Sequence, residues 1–165
     1  MFSINDTVMY GSSGVCEIVD IKPKRFNNEE VLYYVIKPVD SDNSTIYCPV
    51  NGKARIRKLL TAAEVQEILT ALPATKAQWI ENDRQRHEAF SDIVKRGDHR
   101  ELIMLIKSIR ASREEKIRAG KKPHADDERF LKDAENIIYG EFAYALKMSR
   151  DEVIAYIKSK LKGGK

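Results

Sequence analysis

The spacing of apolar positions changes once along the chain, near residue 60. Over residues 7–21 two apolar-rich runs, 7–10 and 15–21, flank Gly11-Ser12-Ser13-Gly14, where glycine supplies the positive φ of a tight reversal. The pattern predicts a hairpin. In its second run Val15, Glu17, Val19 and Ile21 share one side and Cys16, Ile18 and Asp20 the other, so both faces carry apolar weight, as in a strand of a small barrel. A polar break over 22–30 follows, then the β-branched and aromatic run 31–36 closed by Pro38. A second turn over 40–44 leads to Thr45-Ile46-Tyr47-Cys48 and Pro49, and a short strand is predicted within 54–59. Five such short strands remove most of their exposed edges by closing into a barrel.

From Thr61 the period is helical. Thr61 and Glu64 form a capping box, Val65, Ile68, Leu69 and Leu72 share one face, and Pro73 ends that helix. A second helix is predicted over 75–96, closed by Gly97. Asp98 and Glu101 start a third, in which Leu102, Leu105, Ile106 and Ile109 recur at helical spacing as far as residue 119. After a loop at 120–123, Phe130, Ala134, Ile137, Ile138, Phe142 and Ala145 mark a fourth helix, with His124 at its cap. Ser149 and Glu152 cap a fifth that carries Val153, Ile157 and Leu161, and the tail at 162–165 is expected to fray. The fold class is therefore α+β in two domains, a small five-stranded barrel at 1–60 and an all-α bundle of about five helices at 61–165.

Composition agrees with a globular chain: of 165 residues, 42% are apolar and 33% charged, with a formal charge of +4 and a pI of about 9.0. That excess permits nucleic-acid or acidic-protein partners without identifying either. Cys16 and Cys48 lie in apolar strand contexts and read as reduced core thiols. With the scattered histidines they make no zinc spacing, so no metal or cofactor is expected. The N-terminus lacks the basic and apolar regions of a signal peptide, and no run approaches a membrane span, which points to the cytoplasm.

Charge is concentrated between residues 107 and 122. Lys107, Arg110, Arg113, Lys116, Arg118, Lys121 and Lys122 face only Glu114 and Glu115 there, and such a segment either neutralises phosphates or solubilises a helix face. Charge alone leaves both readings open. Trp79, the only tryptophan, precedes the polar run 81–88. It either wedges against a base step with Arg84 and Arg86 on phosphates, or packs the helices onto the barrel, the reading that the residues alone favour. Catalysis finds little support, because the serines lie in a turn and His87, His99 and His124 fall on helix faces or caps.

The order of parts resembles the CarD family of bacterial transcription regulators, which includes the CdnL proteins. The likeness is carried by residues 2–19, Tyr33-Tyr34-Val35-Ile36-Lys37, Thr45-Ile46-Tyr47-Cys48-Pro49, Gly97-Asp98, and the helix end at 141–146. The resemblance implies a Tudor-like or SH3-like barrel that binds the RNA polymerase β subunit, and helices that contact promoter DNA and stabilise the open complex, without enzymatic activity. It implies a polymerase surface at Lys24, Arg25, Thr45, Ile46, Tyr47 and Pro49, with the edge strand pairing to the partner. Arginines are common there in the family; Lys24 keeps the charge, whereas Tyr47 offers packing or a phenolic hydrogen bond. It implies a DNA surface at Trp79, Arg84, Arg86, Lys116, Arg118, Lys121 and Lys122, mostly on backbone and minor groove. The family tryptophan stands about one helical turn nearer the Gly-Asp junction, where this chain has Asp83, so Trp79 is either the wedge on a longer helix or a packing residue. A monomer is expected. The alternatives are a polymerase-binding module without DNA contact, like that of transcription-repair coupling factors, and an RNA-binding barrel stacking bases on Tyr10, Tyr33 or Tyr47.

Overall fold

The computed structural model describes residues 1–41, 43–52, 56–74 and 78–162, with residues 74, 161 and 162 described through their backbone alone. Five antiparallel strands come first: β1 (Thr7–Tyr10), β2 (Gly14–Phe26), β3 (Glu29–Pro38), β4 (Ile46–Pro49) and β5 (Ile56–Lys58). They form one sheet in the order β4-β3-β2-β1-β5, so β4 and β5 lie at its two ends. Ile46 of β4 and Ile56 of β5 nevertheless pack against the same cluster of Val8, Cys16, Ile18, Tyr34, Ile36 and Cys48. The sheet thus curls around its own core, as a small barrel does.

The first reversal is as expected, with Gly11 and Gly14 both at positive φ. The polar stretch at 22–30 is different. It is not a loop, because β2 and β3 continue as a ladder to the pair Phe26 and Glu29, and Asn27-Asn28 at φ 50° and 64° forms the two-residue turn. Asparagine tolerates that left-handed geometry, which suits the twist of a tight hairpin. Polarity there reflects an arm wet on both faces, and Pro23 is tolerated because that length of β2 has a strand neighbour on one side only.

A bulge between Ile18 and Asp20 alters the expected alternation. It consumes Val19, so Ile21 falls on the side of Cys16 and Ile18 and joins the sheet core. The opposite face explains the remaining apolar positions. Met9 and Val15 turn away from the sheet core and are buried among the helices.

The helices are α1 (Ala62–Ala71), α2 (Asp83–Arg96), α3 (His99–Arg118), α4 (Ala125–Leu146) and α5 (Arg150–Lys162). Thr61 and Glu64 close both halves of the capping box that starts α1, Asp98 accepts from the Arg100 and Glu101 amides, and Ser149 pairs reciprocally with Glu152. His124 occupies the N-cap position of α4 but makes no side-chain cap bond. The second helix is shorter than its predicted span of 75–96. Asn82 accepts the Gln85 amide at 3.0 Å and starts α2 there, leaving 78–82 as a non-helical connector; residues 75–77 lie outside the described ones. The predicted strand positions 54 and 55, the tail at 163–165 and the side chain of Leu161 are also outside them.

One polar knot joins sheet and helices. Glu141 on α4 is 0% exposed, and its carboxylate accepts two bonds from Arg57 of β5, at 2.7 and 2.8 Å, and one from the Leu60 amide at 3.0 Å. Arg57 also donates to the Gly97 carbonyl at 3.2 Å, at the turn between α2 and α3. Gly97, at φ 68°, leaves no room for a side chain, since a Cβ there would lie 2.9 Å from the Gly11 carbonyl oxygen.

Candidate functional site

The first candidate surface is the end of the sheet at β4. Its inner edge pairs with β3, and among the described residues no strand covers the outer one. An uncovered edge presents backbone donors and acceptors to a partner strand. The register points Tyr47 and Cys48 to opposite faces: Cys48 is buried in the sheet core and Tyr47 stands on the outer face. There the Lys24 ammonium lies 3.2 Å from the centre of the Tyr47 ring, a cation–π contact that holds both side chains extended over the face. Arg25 and Thr45 are exposed, whereas Ile46 and Pro49 are half-buried, Ile46 against the sheet core. Beside Arg25, at the hairpin tip, Phe26 is 69% exposed, a large apolar group that strand spacing alone did not single out.

The second surface surrounds Trp79. The tryptophan lies in the connector, half-buried, with its ring edge-on to Phe90 at 6.1 Å. The connector is clamped on both sides of it. Ser108 on α3 donates to the Gln78 carbonyl at 2.7 Å, and Arg86 on α2 donates to the carbonyls of Ile80 and Glu81 at 3.0 and 3.3 Å. The Arg86 guanidinium also stacks 4.6 Å from the indole centre, and Lys116 lies 5.8 Å away from it.

Arg86 therefore corrects the expectation that it meets phosphate. It is 2% exposed, bound to Asp127 at 2.9 Å and to Asp83 at 2.7 Å, and its donors are directed inward. Burial alone would make its charge easier to lose, but those carboxylate bonds outweigh it and hold its pKa above the ordinary value. The same contact holds the Asp83 carboxyl below its usual range. Asp127 keeps one oxygen, Oδ2, without a hydrogen-bond partner, 4.0 Å from the Lys116 ammonium.

The basic segment is mostly answered within the fold. Arg110 meets Glu135 at 2.6 Å, Arg113 meets Glu128 at 3.3 Å, and Lys107 donates to the Leu72 carbonyl at 2.6 Å. Helix α4 supplies acids that the window 107–122 did not contain. Exposed cationic groups remain at Arg84, which holds Glu88 at 3.4 Å, at Arg118, 3.7 Å from Glu114, and at Lys121 and Lys122, which have no ion pair among the described residues. Lys116, the member of this group that lies near Trp79, is half-buried.

His87 and His124 face Asp126 and Asp83, at 3.0 and 4.0 Å, and among the described residues no group of three or more ligating side chains could hold a metal. Cys16 and Cys48 are free, buried thiols; burial pushes Cys16 up to about 11 and raises Cys48 as well. No described helix is long and apolar enough to cross a membrane.

Comparison with known proteins bears on the first surface. Residues 2–60 match the model of the CarD-like/TRCF RID domain. The chain is also 25% identical over 130 residues to a protein of Bacillus subtilis (strain 168) named "Putative transcription factor YdeB", covering 77% of this chain and 84% of that protein.

Proposed function

With residues 2–60 a CarD-like/TRCF RID domain, we propose that the chain is a transcription regulator that docks on the RNA polymerase β subunit through the β4 edge and places its helices on promoter DNA. The observation that carries this reading is the uncovered edge of β4 beside the Lys24–Tyr47 stack, with Arg25 and Thr45 exposed around it. Residues 1–60 act as the polymerase-binding unit and 61–165 as the DNA-contacting unit. Trp79 is the wedge, held ready by Ser108 and Arg86, while Lys121 and Lys122, with Arg84, Lys116 and Arg118, attract phosphates. Tethering to polymerase makes weak, largely sequence-independent DNA binding sufficient to stabilise the open complex. The protein works as a monomer in the cytoplasm and needs no cofactor.

A pull-down of the isolated polymerase β lobe by the full chain is the deciding experiment. Capture that is lost when the β4 edge is blocked by Thr45→Pro supports the reading; no capture by the unaltered chain defeats it. One observation favours a second reading, a polymerase-binding module without DNA contact: the internal pairing of Arg86, Arg110 and Arg113 leaves few exposed cations on the helices. DNA crosslinking through Trp79 separates the two.

A further inference from the structure

Between α3, α4, α5 and Leu72, just past the end of α1, lies an open-sided cavity of about 260 Å³ whose walls include Leu72, Ile103, Ile106, Ile138, Phe142 and Ile157. We propose that it is a binding site for a small monoanionic amphiphile, a medium-chain carboxylate. Its apolar side chains offer an alkyl chain burial from water, worth about 0.8 kcal/mol per methylene. It falls below the roughly 300–1,000 Å³ of drug-sized sites, which limits the occupant to a short chain.

The polar members of the wall define the head group. Arg110 spends Nε and Nη2 on Glu135 and the Tyr139 hydroxyl, and its Nη1 has no partner among the described residues. That nitrogen keeps two N–H donors for a carboxylate. Lys107, on the same wall and one turn earlier on α3, is a second cation there and donates to the Leu72 carbonyl at 2.6 Å. Glu114, also on the wall, opposes a second negative charge. A dianionic phosphate is thereby disfavoured and a single carboxylate fits.

The test is titration calorimetry of the full chain with decanoate, octanoate and hexanoate, each below its micelle concentration. Saturable one-to-one binding is expected, strengthening about four-fold per methylene. Arg110→Gln should weaken decanoate about ten-fold and leave neutral 1-decanol unchanged. Ala111→Trp, which fills the cavity from an exposed position of α3, should abolish binding of both ligands in a chain whose circular dichroism is unaltered. No saturable binding by the unaltered chain overturns the proposal, as does equal affinity in Ala111→Trp, or an Arg110→Gln variant that loses decanol as fully as decanoate. A dimer of the unaltered chain that Ala111→Trp makes monomeric, without decanoate binding, would assign the cavity to a second copy and overturn it likewise. If Ala111→Trp does not fold, the chain-length series and Arg110→Gln decide.

Discussion

Arg57 and Glu141, 84 residues apart, form a two-pronged ion pair whose carboxylate is wholly buried. The pair fixes the last strand and the entrance to α1 onto α4, because the same carboxylate holds the Leu60 amide. Arg57→Ala leaves that carboxylate buried without its counter-charge and should cost about 3–5 kcal/mol in urea unfolding. The double change with Glu141→Ala should cost clearly less than the two single losses summed, since each alone strands its partner.

Gly97→Ala should destabilise by about 1–3 kcal/mol from the left-handed backbone alone, and by more because of the 2.9 Å approach to the Gly11 carbonyl. Gly120, at φ 71°, faces open space, so Gly120→Ala carries the strain without the clash. A smaller loss at Gly97 than at Gly120 in matched denaturation curves would contradict the close contact.

His99 supplies a pH dependence. Burial holds its folded pKa below the ordinary 6.5, with Asp98 and Glu141 opposing and Arg57 assisting. The unfolded chain therefore takes up this proton first as pH falls, and stability should decline below about 6.5, with no contribution from this group above it. His99→Gln should flatten the slope that sets in below about pH 6.5; an unchanged slope removes His99 as its source.

The clamp on Trp79 separates wedge from packing. Ser108→Ala removes the hydrogen bond to the Gln78 carbonyl and should cost about 0.5–1.5 kcal/mol while shifting the tryptophan emission to the red. Trp79→Ala should shorten the open-complex lifetime and leave polymerase capture intact. An unchanged lifetime with a lowered melting temperature assigns Trp79 to packing.

For DNA, the salt dependence of affinity is diagnostic. Replacing Lys121 and Lys122 by Gln should reduce the slope of log affinity against log salt by nearly two, about one for each phosphate that is no longer neutralised. Arg113→Gln, whose partner is Glu128, should leave the slope unchanged and cost stability instead.

The apolar stretches of the strands, the caps of α1, α3 and α5, and the glycine joint were legible in the sequence because each rests on neighbours a few residues apart, whereas the polar arm of β2 and β3 read as a break. The start of α2 was readable too: Asn82 followed three residues later by Gln85 is a cap signal, but the polar run around it read as continuous helix. The fate of Arg86 was not legible, since the carboxylate that takes its Nε comes from Asp127, far along the chain. The neutralised face of α3 escaped for the same reason. Counting charge within a window omits what a facing helix supplies. The bulge at Val19 left its trace as imperfect alternation, which fitted several strand geometries equally well.

Met9 and Val15 carry one more consequence. Both belong to the N-terminal strands, yet their side chains lie in the helical core. Cutting the chain after residue 60 would give one fragment a bare oily patch and the other a socket with no plug. The halves distinguished by their sequence periods should therefore be sticky apart and well behaved together, and co-expressing them as separate polypeptides should recover solubility that neither shows alone.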